Sequence, residues 1–297
     1  FIISATCLNI RIVFLVTPTH RHKLRCNNEP FGLSVPLLIS TSGSSRIFKY
    51  SWTHLRSGTK NIYVRYINYL RMSTCGISIL FHFRVPFVRD GLVQVPPDQR
   101  SSTPLKGKKI LDIGCGGGIL SMPLAKLGAD VTGVDASEKI IEMARQHSEA
   151  HPPLPGKHPN YLCTSIEVQH HANFYDGVVA SEIIEHISDE RKELFVKSCI
   201  HTLKPGGRIF FTTPSKTRLS QLANICVAEY VLQAIPKGTH QYEKFTTPND
   251  LTLLLERNGC HVESVFGIFY HFLKNEWQWI DSTTFFFALQ AMKLEEE

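Results

Sequence analysis

Three residues in the middle of the chain, Glu182, Glu185 and His186, stand at positions i, i+3 and i+4, which on an α-helix places side chains on one face. Two carboxylates and an imidazole so placed could hold a hard divalent cation, which would lower the pKa of a hydroxyl bound to it. Two blander uses stay open at this point: Glu185 and His186 as groups that cap and solvate a helix start, or His186 as a metal-free general base. Upstream lies a second chemical signal, Gly114-Cys115-Gly116-Gly117-Gly118, directly after the short apolar run Ile110-Leu111-Asp112-Ile113. Glycines at a strand-to-helix turn let a ligand approach the backbone, where the amides of the helix start point outward. Asp135 follows Gly114 by 21 residues, at the end of a second apolar stretch. A carboxylate at that distance accepts hydrogen bonds from ribose hydroxyls. A nicotinamide fingerprint would need glycine at the sixth position counted from Gly114, and this chain has Ile119 there.

These residues need strands to position them. Asp130–Asp135 reads as the second strand and Tyr161–Thr164 as the third. Tyr175–Ser181 reads as the fourth and Arg208–Thr213, after the turn Lys204-Pro205-Gly206-Gly207, as the fifth. Helices are expected over Ile119–Leu127, from N-cap Ser137 to about Glu149, and over Asp189–Leu203. Alternating strands and helices imply a parallel sheet with its ligand at the carboxyl ends of the strands. Gly114, Asp135 and Ser181 all fall on that edge. Further on, Leu219, Leu222, Ala223, Cys226, Val227 and Tyr230 form one apolar helical face, either packed as a lid or lying at a membrane interface. Thr247 and Pro248 start another helix, Gly259 ends it, and His261–Phe269 and Thr283–Met292 are the last strands.

Charge divides the chain. Residues 1–103 carry 13 of the 32 Lys and Arg against three acids, Glu29, Asp90 and Asp98, so the remainder is mildly acidic. It offers no basic stripe for a nucleic-acid backbone, and no nucleic-acid partner is expected. The eight cysteines are scattered without C-x-x-C spacing, as in a reducing compartment. The longest apolar runs fall short of the roughly 20 residues that span a bilayer. Residues 1–83, basic, Ser-rich and poor in acids, read either as a transit-peptide-like leader or as a stretch foreign to the domain that follows.

The strings ILDIGCGGG (110–118), VTGVD (131–135), DGVVASEIIEHI (176–187) and LKPGGRIFFTT (203–213), in this order, resemble the class I methyltransferase motif series. PKGTHQYEKF (236–245) and RVPFVRDGL (84–92) resemble the ubiquinone-biosynthesis O-methyltransferases. The resemblance implies a methyltransferase domain over 84–297 with a lid insertion at about 215–247. Its fold would be Rossmann-like α/β, a mostly parallel seven-stranded sheet with helices on both faces and an antiparallel C-terminal strand. It further implies S-adenosylmethionine held by Arg84, Gly114, Gly116, Asp135 and Ser181, magnesium on Glu182, Glu185 and His186, and a polyprenyl catechol or quinol as acceptor. The family's setting implies the mitochondrial matrix, peripheral contact with the inner membrane and a complex with other ubiquinone-biosynthesis proteins. One departure is the Trp-containing helix that members carry before the arginine motif, of which residues 60–83 show nothing. Methyl transfer is an in-line displacement, so the protein aligns donor and acceptor. A phenolic hydroxyl, with a pKa of about 10, also needs a base or metal to ionise it. Two rival readings are a nicotinamide oxidoreductase, opposed by Ile119, and a non-catalytic quinone-intermediate binder or assembly subunit.

Overall fold

The computed structural model describes residues 37–41, 44–48, 78–152, 154, 156–168, 171–231, 238–271 and 276–295. Most of the leader-like segment lies outside these residues, as do Pro236 and Lys237. A small unit, residues 1–67, contributes an antiparallel hairpin of β1 (Leu37–Thr41) and β2 (Ser44–Phe48).

The larger unit, residues 68–297, is built on a single sheet. Its strands are β3 (Lys109–Ile113), β4 (Asp130–Asp135), β5 (Asn160–Cys163), β6 (Tyr175–Ser181), β7 (Leu203–Pro214), β8 (Cys260–His271), β9 (Glu276–Ile280) and β10 (Phe286–Lys293). The order is β5-β4-β3-β6-β7-β10-β8-β9, parallel from β5 to β7 and antiparallel through β10, β8 and β9. The sheet thus has eight strands where seven were expected. The added one, β9, is a short aromatic strand that returns along β8, with Tyr270 against Trp277.

Parallel strands covered on both faces are apolar almost throughout, and β3 and β6 are buried along nearly their whole length. Successive residues point to opposite faces, so neighbours in one strand serve two cores. Leu111, Val178, Phe211 and Leu289 pack under α4 (Asp189–Thr202) and α6 (Pro248–Glu256) through Phe195, Val196, Leu251 and Leu255. Ile110, Val179, Phe210 and Ala288 pack against α1 (Ser78–Leu92) through Phe87, Val88 and Leu92, and against α2 (Ser121–Lys126) through Leu124.

Two local expectations change. The Lys204–Gly207 segment is not a separate turn: β7 starts at Leu203, Gly206 takes a φ of 72°, and the register with β6 shifts beside it. Between the pairs Tyr175–Leu203 and Gly177–Arg208, β7 carries three more residues than β6, a wider irregularity than a single-residue bulge. Ser137 stands at the N-cap of α3 (Glu138–Glu149), but its side chain makes no capping bond. After β5 the chain crosses to β6 on the other side of β3, and the crevice between β3 and β6 is the switch point where open α/β sheets bind ligands.

Candidate active site

On the first side of that crevice the backbone does the work. Gly114, Gly116 and Gly118 leave β3 with φ of 67°, 54° and 75°, the left-handed region that costs other residues about 1–2 kcal/mol. A Cβ on Gly114 would lie 2.9 Å from Ile183 Cδ1, whereas one on Gly116 would meet nothing within 4 Å. The turn is therefore shut against the protein at Gly114 and open toward the ligand edge at Gly116. Asp135, ending β4, accepts the Gly116 N–H on Oδ2 at 3.2 Å and the Ser137 N–H on Oδ1 at 2.9 Å. It is the Ser137 amide, not its hydroxyl, that is engaged, and this fixes the carboxylate. An ionised carboxylate has about four acceptor sites, so both oxygens keep capacity for ribose hydroxyls. Beneath the turn, buried Asp112 takes a hydrogen bond from Ser121 Oγ. Burial pushes its carboxyl up to about 6, against the Ser121 bond and Arg84.

On the second side side chains do the work. Ser181, the last residue of β6, lies with its Oγ 2.8 Å from Thr212 Oγ1. No α-helix carries Glu182, Glu185 and His186 on one face. Glu182 has a φ of 53° and only a 3-10 turn, Ile184–His186, follows. A non-glycine residue held there is strained and concentrates at functional sites. The Glu182 N–H donates to the Thr212 carbonyl at 2.8 Å, so the bend is an overshoot of the β6–β7 ladder. It sets Glu182 beside Glu185, which is buried, and leaves His186 exposed. The Glu185 Oε2 accepts from Thr213 Oγ1 at 3.0 Å. Arg84 Nη2, reaching in from α1, lies 3.0 Å from Glu182 Oε1. That pairing is an ion pair without hydrogen-bond alignment, and Oε1 of Glu182, Oε1 of Glu185 and Nε of Arg84 are buried without a hydrogen-bond partner. Burial and the neighbouring Glu182 push the Glu185 carboxyl well above the usual range. Burial also raises Glu182, opposed by Arg84 and His240. Among the described residues no three His, Cys, Asp or Glu side chains converge to hold a metal ion. His186 instead stacks on His240, with ring centroids 6.1 Å apart and planes at 20°. Partial desolvation, then His240 and Lys244, lower its pKa.

The insertion after β7 closes on itself. Ser215 bridges Thr246, and buried Lys192 of α4 donates to the Lys244 carbonyl at 2.6 Å and to Thr246 Oγ1 at 2.8 Å. Inside it, α5 (Arg218–Gln221) is capped by Thr217 Oγ1, which accepts the Ser220 N–H at 3.0 Å, and passes into a π-helix, Leu222–Val231. The wider π turn breaks the 3.6-residue period that predicted one apolar face. Leu219, Leu222 and Tyr230 are 53–55% exposed, Cys226 is also exposed, and Ala223 is half-buried. Wholly buried Glu229 lies in the same π-helix; it accepts the N–H groups of Gly238 and His240 at 2.7 and 2.8 Å, and its Oε1 lies 2.9 Å from the His240 ring Nδ1. Sequence reasoning missed Thr213, Glu229 and His240. For His240 a signal existed, since it sits inside the string PKGTHQYEKF, but spacing alone says nothing of what it touches.

Comparison with known proteins agrees with this geometry. Residues 82–265 match the family described as "Methyltransferase domain". The chain is 42% identical over 211 residues to the human "Ubiquinone biosynthesis O-methyltransferase, mitochondrial", covering 71% of this chain and 57% of that protein. It is 40% identical over 196 residues to the Sinorhizobium fredii "Ubiquinone biosynthesis O-methyltransferase", covering 65% of this chain and 77% of that protein. It thus spans little more than half the length of its mammalian relatives. The fold matches magnesium protoporphyrin IX methyltransferase from Synechocystis, solved with bound S-adenosylmethionine, with a TM-score of 0.52 at 19% identity over 81% of this chain and 99% of that one. With a glycine turn, a fixed Asp135 and a carboxylate pair on one sheet edge, and relatives of this name on two sides of a wide evolutionary gap, the chain belongs to the ubiquinone biosynthesis O-methyltransferase family of methyltransferase-domain proteins.

Proposed function

We propose that the chain transfers the methyl group of S-adenosylmethionine to a hydroxyl of a catechol-type polyprenylated intermediate of ubiquinone biosynthesis. The observation that carries this reading is the juxtaposition across the switch point. The glycine turn and the Glu182–Glu185 segment are in van der Waals range of each other, so that even a methyl on Gly114 would strike Ile183. A donor held at the first would therefore present its methyl group to an acceptor held at the second, which is the alignment an in-line displacement requires. In this reading Gly114 and Gly116 give the backbone surface for S-adenosylmethionine, Asp135 takes its ribose hydroxyls, and Ser181 and Arg84 line the floor beside it.

For magnesium, the two carboxylates fit in part: Glu185 Oε1 is buried without a hydrogen-bond partner, whereas Glu182 Oε1 already faces Arg84 Nη2 at 3.0 Å, so an ion between the carboxylates would take over the charge compensation that Arg84 now gives. Glu182 and Glu185 would hold it, while His186 stands apart, stacked on His240. Such an ion supplies a lowered pKa for a coordinated hydroxyl. The exposed Leu219, Leu222 and Tyr230 suit peripheral contact with the inner mitochondrial membrane, on its matrix side, where a polyprenyl tail resides. Among the described residues no helix is long and apolar enough to cross a membrane. An assembly with other ubiquinone-biosynthesis proteins belongs to the same reading, supported only by the family. The test is incubation with labelled S-adenosylmethionine and a panel of catechols, prenylated and not, with magnesium or with chelator. Methylation of a catechol is expected, strongest for the prenylated acceptor with magnesium. Binding of the cofactor with no transfer to any catechol would leave a non-catalytic binder.

A further inference from the structure

Of the string RVPFVRDGL only Arg84 reaches the site, yet the helix that carries it is held by a glycine, Gly91, seven residues farther on. In α1 the residues Arg84, Phe87, Val88, Gly91 and Leu92 are all buried, and they stand at i, i+3, i+4, i+7 and i+8, one face of a helix. The Arg84 guanidinium thus extends an apolar stripe that lies on the sheet. At one end of the stripe Leu92 covers Gly177, near the start of β6. At the other, Arg84 Nη2 lies 3.0 Å from Glu182 Oε1, just past the end of that strand. Helix α1 therefore runs antiparallel along β6, and the depth at which it lies decides where the guanidinium ends. Two bare backbones set that depth. A Cβ on Gly91 would collide with Gln290 Oε1 and with the Phe210 ring, its Cζ at 2.7 Å, and a Cβ on Gly177 would stand 2.9 Å from Leu92 Cδ1. Neither glycine takes a left-handed φ, so backbone conformation does not call for them, and glycine inside a helix is less favourable than alanine. Phe210 is 1% exposed and packs edge-on against Phe87, with ring centroids 5.4 Å apart. In so dense a core the ring has no room to retreat from an added methyl, and the helix has to lift instead.

We propose that Gly91 and Gly177 are positioning residues for Arg84: their missing side chains let α1 lie deep enough on the sheet for the guanidinium to reach the S-adenosylmethionine site. The inference rests on the methyltransferase reading above, in which Arg84 lines that site. A helix is stiff along its axis, so a lift at Gly91 is carried over the roughly 10 Å of helix to Arg84. A guanidinium donates through a rigid planar fork, and a displacement of about 1 Å is enough to take its hydrogen bonds out of alignment. Neither glycine touches the cofactor; both act through the arginine. The same contacts offer a repair, since Phe210→Leu withdraws the ring atoms that a methyl on Gly91 would strike.

The experiment measures S-adenosylmethionine affinity by titration calorimetry on the full chain, in a double-mutant cycle of Gly91→Ala and Arg84→Ala. Arg84→Ala should weaken binding about 10-fold or more, and Gly91→Ala alone about 10-fold. In the Arg84→Ala background, Gly91→Ala should cost less than about two-fold, because the group it displaces is already gone. A general loss of packing would instead cost the same in both backgrounds. Phe210→Leu added to Gly91→Ala should return most of the lost affinity. If Gly91→Ala does not fold, Gly177→Ala, whose methyl meets only the tip of the Leu92 side chain, carries the same cycle and should lose a few-fold, restored by Leu92→Ala. Wild-type affinity in both glycine variants, full affinity in Arg84→Ala, or equal losses with and without Arg84 would overturn the proposal. Failure of wild type to bind S-adenosylmethionine at all would instead overturn the methyltransferase reading itself.

Discussion

The two sides of the crevice are built in opposite ways. The side proposed for the cofactor uses backbone: three left-handed glycines and one carboxylate held by two amides, all within residues 114–137 and at the ends of adjacent strands. The side proposed for the acceptor uses side chains gathered from the bend after β6, the end of β7 and the insertion, Glu182, Glu185, Thr213, Glu229 and His240, with Arg84 of α1 reaching between the two sides. The first continues the hydrogen bonding of the sheet, with the Gly114 and Cys115 N–H groups donating to the Val134 carbonyl. The second carries strain at Glu182 and mutually repelling carboxyls. Binding and chemistry are therefore separable, and substitutions should affect one without the other.

The largest effect expected is on the cofactor side. Asp135→Ala removes the acceptors for two hydroxyls without removing core volume. S-adenosylmethionine affinity measured by calorimetry should fall about 100-fold, from roughly 1.5 kcal/mol for each hydrogen bond to a charged group, while thermal unfolding stays within a few degrees. Undiminished affinity would break the distinction. Next, Glu185→Gln should depress methyl transfer strongly yet leave cofactor affinity alone. Its stability change has a definite sign. A carboxyl whose folded pKa lies above its unfolded one loses stability as pH rises through that range, so the amide variant should gain on wild type toward higher pH in denaturant melts. A loss of stability there would mean that the carboxyl pair is not repulsive.

The same linkage applies to Asp112 at the base of the glycine turn. With a folded pKa of about 6 against an unfolded value of about 3.9, the folded state holds a proton that the unfolded chain has released. Stability attributable to Asp112 should fall by about 3 kcal/mol between pH 4 and 6 and stay flat above. Asp112→Asn should remove that slope in chemical denaturation across the range, and an unchanged slope would refute it. The smallest effect on chemistry is expected in the insertion. Leu219→Glu with Leu222→Glu should weaken sedimentation with anionic liposomes about 10-fold or more, since each charge on the exposed apolar surface opposes burial in the interface. Turnover of a short soluble catechol should stay within about two-fold. Unchanged sedimentation would remove membrane contact from that surface.

The contrast also explains what could be read in the chain beforehand. Strands β3, β4 and β6 announce themselves as buried apolar runs ending in Gly114, Asp135 and Ser181, because local sequence there dictates both the element and the residue at its edge. The acceptor side resisted. The spacing of Glu182, Glu185 and His186 suggested one helical face, but a left-handed residue at 182 replaces the helix with a bend and turns His186 away from the carboxylates. The Glu229–His240 pair is closed by hydrogen bonds across an 11-residue separation, inside a π-helical insertion whose period does not match the α pattern. Strand β9, Glu276–Ile280, alternates polar and apolar residues within only five positions, too short a run to mark it against the longer strands beside it.

The central claim, that one side binds and the other reacts, is tested most directly by the rate of methyl transfer to a prenylated catechol as a function of S-adenosylmethionine concentration, in wild type, Asp135→Ala and Glu185→Ala. The account predicts that Asp135→Ala approaches the wild-type plateau as the cofactor is raised, whereas Glu185→Ala saturates at the wild-type concentration but at a plateau lower by about 100-fold. A Glu185→Ala plateau equal to wild type, or an Asp135→Ala curve that saturates normally at a low plateau, would contradict it.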